Sequence, residues 1–157
     1  MSFTTIMRPV ITAAVLLAPL VAAVPVTAQD ARGIIHVYKT PWCGCCGAWA
    51  ARMREAGFET RITELEDLAP VRRQAGVPDA VAGCHTAAID GYVLEGHVPV
   101  PAIDKLLAER PEIRGIAVSG MPSGSPGMGD DPSARYDVVT FGAGSAGDFR
   151  VFYKAGR

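Results

Sequence analysis

Thr40-Pro41-Trp42-Cys43-Gly44-Cys45-Cys46-Gly47 packs three of the chain's four cysteines into four consecutive positions, and the segments on either side of it decide the fold. Upstream, Ile34-Ile35-His36-Val37-Tyr38 is a β-branched and aromatic run that predicts a buried strand; downstream, Ala48 to Ala56 predicts a helix. The cysteines therefore occupy a strand-to-helix turn. Free amides and the positive end of a helix dipole lower a thiol pKa below its ordinary value of about 8.5, so Cys43 and Cys46 are expected to be nucleophilic. Residues three apart share a helix face, so these two sulfurs can meet in a disulfide or converge on one soft metal ion. Cys45 points elsewhere unless the first turn is distorted.

Working outward, Gly57 closes the helix as a C-cap, and Phe58 to Leu65 alternates as a second strand with Thr60, Ile62 and Glu64 on one side. Asp67 caps a short helix over Leu68 to Ala75, with Pro70 tolerated in its first turn and Gly76-Val77-Pro78 stopping it. Cys84 to Ile89 and Tyr92 to Glu95 are strands joined by Asp90-Gly91, a strong hairpin signal. A helix begins near Pro101, carries Ile103, Leu106 and Leu107 at helical spacing, and stops before Pro111. This order, β-α-β-α-β-β-α, is that of an α/β, thioredoxin-like fold. Gly115 to Ser119 then leads into Gly120-Met121-Pro122-Ser123-Gly124-Ser125-Pro126-Gly127-Met128-Gly129, a Gly/Pro/Met-rich loop that serves as a linker or a binding loop. Tyr136 to Phe141 and Phe149 to Tyr153 form a C-terminal β-hairpin across the Gly142 to Asp148 turn. There is no internal repeat and no coiled-coil pattern.

The first 28 residues have the layout of a secretory signal: Arg8 is the only early charge, Val10 to Val24 is apolar, and Val26-Thr27-Ala28 is a small-residue cleavage site. The apolar run is shorter than the ~20 residues a span needs and is interrupted by Pro19. We therefore expect export to the periplasm with cleavage near Ala28, no membrane span afterwards, and one domain over residues 29–157. Loss of Arg8 makes the net charge of −1 one unit more negative, which gives no electrostatic case for nucleic acid or an anionic membrane as partner. In an oxidising compartment four cysteines could also pair as two plain disulfides, but adjacent Cys45 and Cys46 leave few partners that satisfy both.

Trp42-Cys43-Gly44-Cys45-Cys46 resembles the thioredoxin active-site pattern Trp-Cys-Gly-Pro-Cys, with Cys45 standing in the place of proline. Thioredoxins carry a residue before the hairpin that faces the active-site pair; counting back from Asp90-Gly91 puts Gly83 and Cys84 there, so Cys84 and His85 are expected to face Cys43 and Cys46. Gly96-His97, at the end of the hairpin, opens on the same side. Four thiolates, two imidazoles and nearby thioethers form a donor set that favours Cu(I) over hard cations and can also hold Zn(II). Zinc ranks second because paired Cys-x-x-Cys knuckles are missing, and the spacing matches no iron–sulfur run.

Four segments together resemble the CopG-type family of periplasmic metal-binding, copper-resistance proteins, the thioredoxin-like family and not the DNA-binding repressor of that name. They are Val37 to Cys46, Gly83-Cys84-His85-Thr86-Ala87, Glu95-Gly96-His97-Val98-Pro99, and Gly120-Met121-Pro122 with Gly124-Ser125-Pro126-Gly127-Met128. The resemblance implies a thioredoxin-like domain that binds several copper ions through clustered cysteines, with Cu(I)/Cu(II) interconversion and exchange with periplasmic copper-handling proteins. Carried over by position, it implies metal ligation by Cys43, Cys45, Cys46 and Cys84, with His85, His97, Met121 and Met128 as further ligands. Members often carry histidine where this chain has Arg52, which bears on metal count or exchange rate.

Each of these residues also has a plainer reading. His36, in mid-strand, reads as a hydrogen-bonded strand histidine; His97 could cap the turn before the last long helix; Met121 and Met128 could fill core gaps, although both follow glycine in a loop and lie on no helical stripe. Trp42 and Trp49 read as core and site-wall residues. Two classes of function follow. One is a copper-binding protein that sequesters, delivers or changes the oxidation state of copper. The other is a thiol–disulfide oxidoreductase in which Cys43 attacks and Cys46 resolves, which leaves Cys45, Cys84 and the methionine loop without a role.

Overall fold

The computed structural model describes, apart from Met1, residues 32–144 and 147–157; the expected signal segment over residues 1–28 lies outside them. β1 (Ile34–Lys39) runs into α1 (Gly44–Glu55), followed by β2 (Glu59–Glu64), α2 (Ala69–Ala75), a single 3-10 turn at Asp79–Val81, the strands β3 (Thr86–Ile89) and β4 (Tyr92–Glu95), and α3 (Val100–Glu109). Three more strands follow: β5 (Gly115–Ala117), β6 (Asp137–Phe141) and β7 (Val151–Lys154). All seven strands lie in one mixed sheet in the order β2-β1-β3-β4-β5-β6-β7. β1/β2 and β4/β5 are parallel pairs and the other neighbours are antiparallel.

Alternation along the strands divides the interior in two. On one face Ile35, Val37, Ala87, Leu94 and Ile116 meet Trp49 and Met53 of α1 and Ile103 and Leu106 of α3. On the other, Val93, Ala117 and Phe141 pack with Val77 and Val81. α2 fully buries no residue of its own; Ala75 packs half-buried against the second cluster, and Arg72 reaches Glu95 beneath it. Its start and stop follow local rules: Asp67 Oδ1 accepts the Ala69 N–H at 2.8 Å, and Gly76 takes the left-handed conformation at φ 73° that ends the helix. Asp90 and Gly91 both have positive φ, and Ile89 pairs with Tyr92, as a two-residue hairpin requires.

The observed elements differ from the sequence reading in three places. α1 begins at Gly44, four residues before the expected Ala48, so Cys43 is its N-cap and Cys45 and Cys46 lie in its first turn. Cys84 and His85 precede the first hairpin strand, which starts at Thr86. β5 was not foreseen: three residues beginning with glycine are too short for any periodicity, and their pairing with both β4 and β6 joins the C-terminal strands to the sheet. Among the described residues, no helix is long and apolar enough to cross a membrane.

Candidate metal centre

The start of α1 gathers the sulfurs. Cys43 and Cys46 are joined in a disulfide with their Cα atoms 5.4 Å apart, while Cys45 and Cys84 are free thiols. Cys45 does not point away: its Sγ lies 3.5 Å from that of Cys43. Cys84, on the segment before β3, completes the group, and the Sγ of Cys46 lies 3.5 Å from its carbonyl oxygen. All four sulfurs lie within 4.8 Å of one another.

Cys84 belongs to a second group as well. With His85 and His97 it forms a Cys-His-His set within the same 4.8 Å limit, with Nε2 of His97 at 2.8 Å and Nδ1 of His85 at 3.5 Å from its sulfur. Both rings are fully buried. The His85 ring packs against Trp49 with centroids 4.4 Å apart and planes tilted by 48°, and it meets His97 edge-on at 5.3 Å, while Trp49 is fixed by its indole N–H, which donates to the Val98 carbonyl at 2.8 Å. Nδ1 of His97 faces the Pro126 carbonyl at 2.6 Å; a carbonyl only accepts, so the ring proton is on Nδ1 and Nε2 turns a lone pair toward Cys84. Nε2 of His85 is a buried nitrogen with no hydrogen-bond partner, a feature native interiors rarely tolerate without a ligand or water.

Burial controls the electrostatics here. It pushes the Cys84 thiol up to about 12, reinforced by Cys45 alongside, and pulls His85 down to about 3, helped by His97 and Arg72. His97 is lowered by burial as well, against the pull of Pro126 and Asp130. The imidazoles are therefore neutral, the form in which they can ligate a metal, and the Cys84 thiol keeps its proton at neutral pH. Cys84 is brought to His97 by two glycines. A Cβ on Gly83 would lie 2.6 Å from the Gly96 Cα, and one on Gly96 would lie 2.4 Å from the Val118 carbonyl oxygen, so the two backbones stack at a distance that no side chain permits.

The Gly/Pro/Met loop is a compact knot and not an open linker. Ser125 is buried, its Oγ donates to the Pro122 carbonyl at 2.7 Å, and the Gly124 and Met128 amides donate to the Met128 and Ser125 carbonyls, each at 2.7 Å. The knot sits on the first turns of α1, where a Cβ on Gly127 would be 2.6 Å from the Cys45 carbonyl oxygen. Arg52 reaches Asp130 at 3.0 Å, and Asp130 Oδ1 accepts the Gly127 N–H at 2.9 Å. Behind the knot is a cavity of about 320 Å³ lined by Arg52, Pro99, Pro126, Asp130, Tyr136 and Tyr153. No cysteine lines it, so the cavity is separate from the sulfur cluster.

Six of the eight residues singled out from sequence thus meet around Cys84: Cys43, Cys45, Cys46, His85, His97 and Cys84 itself. Met121 stands 55% exposed, Met128 is half-buried, and both belong to the knot. Trp42 is not a core residue, being 71% exposed beside Cys43. His36 is exposed in β1. Sequence reading missed Arg72, Glu95 and the Arg52–Asp130 pair, because a charged side chain gives no sign of its partner until the fold is known.

Comparison with known proteins agrees with this chemistry. Residues 81–128, which span Cys84, both buried histidines and the knot, match the family described as "Protein of unknown function, DUF411". Two solved structures, of "Copper resistance protein copG" in form 1 and in form 2, are each 38% identical to this chain with a TM-score of 0.70. Each match covers 78% of this chain, and 96% and 97% respectively of the other. No curated protein matches.

Proposed function

Because this chain belongs to the family of the copper resistance protein CopG, we propose that it binds copper, taken up as Cu(I) by Cys43, Cys45, Cys46 and Cys84, with His85, His97, Met121 and Met128 as further ligands. The observation that carries this reading is the convergence of four sulfurs within 4.8 Å, one of them shared with two buried neutral imidazoles. Thiolates and thioethers are the donors that select Cu(I), and more sulfur is present than one ion needs. The orphaned Nε2 of His85 also fits a site built for a cation. Imidazoles accommodate both oxidation states of copper, which supports a role in Cu(I)/Cu(II) interconversion as well as storage or delivery. Zinc is the competing metal, and copper-handling proteins are the partners.

The rest of the reading concerns architecture and place. Residues 29–157 form one thioredoxin-like domain, and residues 1–28 are a signal removed near Ala28 on export to the periplasm; the apolar run and small-residue site in the sequence support this. Mass spectrometry of the exported form tests it, and a retained N-terminus in a membrane fraction overturns it. For the metal, reduced protein is titrated with Cu(I) against a chelator of known affinity. More than one ion per chain, held in preference to zinc, is the expected result; one ion or fewer, or a preference for zinc, refutes the reading.

A second reading has one observation in its favour. The Cys43–Cys46 disulfide at the start of α1 is what a thiol–disulfide oxidoreductase would carry, with Cys43 attacking and Cys46 resolving. It assigns no role to Cys45 or Cys84. Turnover of a disulfide substrate that survives replacement of both Cys45 and Cys84 would favour this reading over copper.

A further inference from the structure

We propose that the Glu95–Arg72 ion pair is the positioning device that holds Cys84 at the metal centre; this rests on the copper reading of Cys84. Glu95 lies at the end of β4 and is fully buried, and each of its oxygens is engaged. Oε1 accepts from the Gly83 N–H at 2.8 Å and from Arg72 Nε at 3.0 Å, while Oε2 accepts from the Thr86 hydroxyl at 2.6 Å. The same guanidinium donates to the Gly83 carbonyl oxygen. One ion pair therefore grips the N–H and the C=O of the residue before Cys84, and Thr86, two residues beyond Gly83's neighbour, is tied to it as well.

Such a grip is more than the fold requires. A buried ion pair costs desolvation that well-packed apolar side chains avoid, and replacing both partners by apolar residues is often neutral or stabilising. What apolar residues cannot do is hold the two peptide groups that flank one residue, one by its N–H and the other by its C=O. The residue held here is Gly83, whose Cα stacks on Gly96, and that stacking places Cys84 Sγ 2.8 Å from His97 Nε2. Gly83 has no side chain to lock the segment by packing, so the ion pair supplies the lock from below. Outer residues that orient metal ligands typically change metal affinity by about 10–100-fold when replaced.

The test separates positioning from general support, using protein expressed from the full-length sequence. In the double variant Arg72→Met/Glu95→Leu the charges leave together but the Gly83 N–H and C=O and the Thr86 hydroxyl lose their partners, so the metal-free protein should stay folded with a lowered unfolding temperature while Cu(I) affinity, measured by chelator competition, falls at least tenfold. The number of sulfurs around copper, counted by X-ray absorption, should fall to that of Cys84→Ser, and adding Cys84→Ser to the double variant should cost nothing further. Arg72→Lys, which keeps the charge but loses the forked grip, should move affinity and sulfur count the same way, and it decides the matter alone if the double variant does not fold. Wild-type affinity and sulfur count in these variants, with Cys84→Ser impaired, overturn the positioning role and leave the copper reading intact. A loss of affinity at unchanged sulfur count, or one to which Cys84→Ser adds in full, shows mere structural support and overturns it too. Wild-type binding by Cys84→Ser itself removes Cys84 from the copper site, and the inference with it.

Discussion

Nε2 of His97 lies 2.8 Å from Sγ of Cys84, and the opposite nitrogen of the same ring faces the Pro126 carbonyl at 2.6 Å. One imidazole thus joins the sulfur cluster to the loop that covers it. Replacing His97 by Phe keeps most of the volume and removes both polar contacts. Copper affinity is expected to fall by tenfold or more, and loss of the hydrogen bond to the half-buried Pro126 carbonyl should cost about 1 kcal/mol of stability. Chelator competition and denaturant unfolding read the two effects separately. Unchanged affinity together with the stability loss would reduce His97 to a structural hydrogen bond.

Cys84→Ser is the sharpest single test of the shared site. Cys84 is 38 residues from Cys46 in sequence yet completes the four-sulfur group. A hydroxyl is a poor Cu(I) ligand, so stoichiometry or affinity for Cu(I) should drop sharply, while stability should hardly change. Retention of the full copper complement by the variant would contradict the prediction.

The two stacked glycines can be probed independently of metal. Gly96→Ala combines a left-handed φ of 71° with a Cβ 2.4 Å from a backbone oxygen, and a loss of about 3 kcal/mol is expected from conformational penalty and overpacking together. Gly83→Ala, whose Cβ meets only backbone at 2.6 and 2.9 Å, should cost about 1–3 kcal/mol. Gly47→Ala is the control: its Cβ meets nothing within 4 Å inside α1, so it should stabilise by about 0.5–1 kcal/mol through helix propensity. Urea midpoints give all three, and a Gly96 variant as stable as wild type would contradict the close backbone approach.

These residues also explain what the sequence could and could not reveal. Cys43, Cys45 and Cys46 were legible because cysteine is rare and their spacing is local. Cys84 and His85 were legible through the hairpin, since Asp90-Gly91 fixes the register of β3 and β4 and a count back from it reaches the site. Glu95 was not: it reads as the polar end of a strand, and its partner Arg72 arrives from α2, a short helix with no fully buried residue to betray which way it faces. The early start of α1 at Gly44 was missed because glycine and cysteine are weak helix formers, and the tertiary cover of the knot over the first turn compensates. β5 was missed for brevity alone.

The redox state of the cluster should control its capacity. With Cys43 and Cys46 joined, two thiols remain, on Cys45 and Cys84. Oxidised protein should titrate two thiols under denaturing conditions and bind less Cu(I) than reduced protein, which should titrate four. Reduction should restore the difference in full. Equal copper binding by both forms would show that the Cys43 and Cys46 sulfurs are not ligands.

Arg52 latches the knot through Asp130. Its bridge to Asp130 at 3.0 Å is partly exposed, at 46% and 30% of the two side chains, and such pairs contribute only about 0–1 kcal/mol. Arg52→Ala should therefore leave the unfolding midpoint almost unmoved. The same pair, however, aligns the Asp130 carboxylate that accepts the Gly127 N–H, and Gly127 is the point at which the knot rests on Cys45. Freed from the latch, the knot should open more often, so the Gly127 amide should exchange its hydrogen faster and bound copper should pass to a chelator several-fold faster at similar equilibrium affinity. Arg52, and next the Gly127 amide, hold the Asp130 carboxyl below its usual range, so the latch is charged at neutral pH. A depressed carboxylate adds stability above its unfolded pKa and loses it as pH falls through the folded value, so acid should mimic the Arg52 variant only at about pH 4 and below. Copper transfer at the wild-type rate in Arg52→Ala would mean that the His97–Pro126 contact, and not this latch, controls access to the cluster.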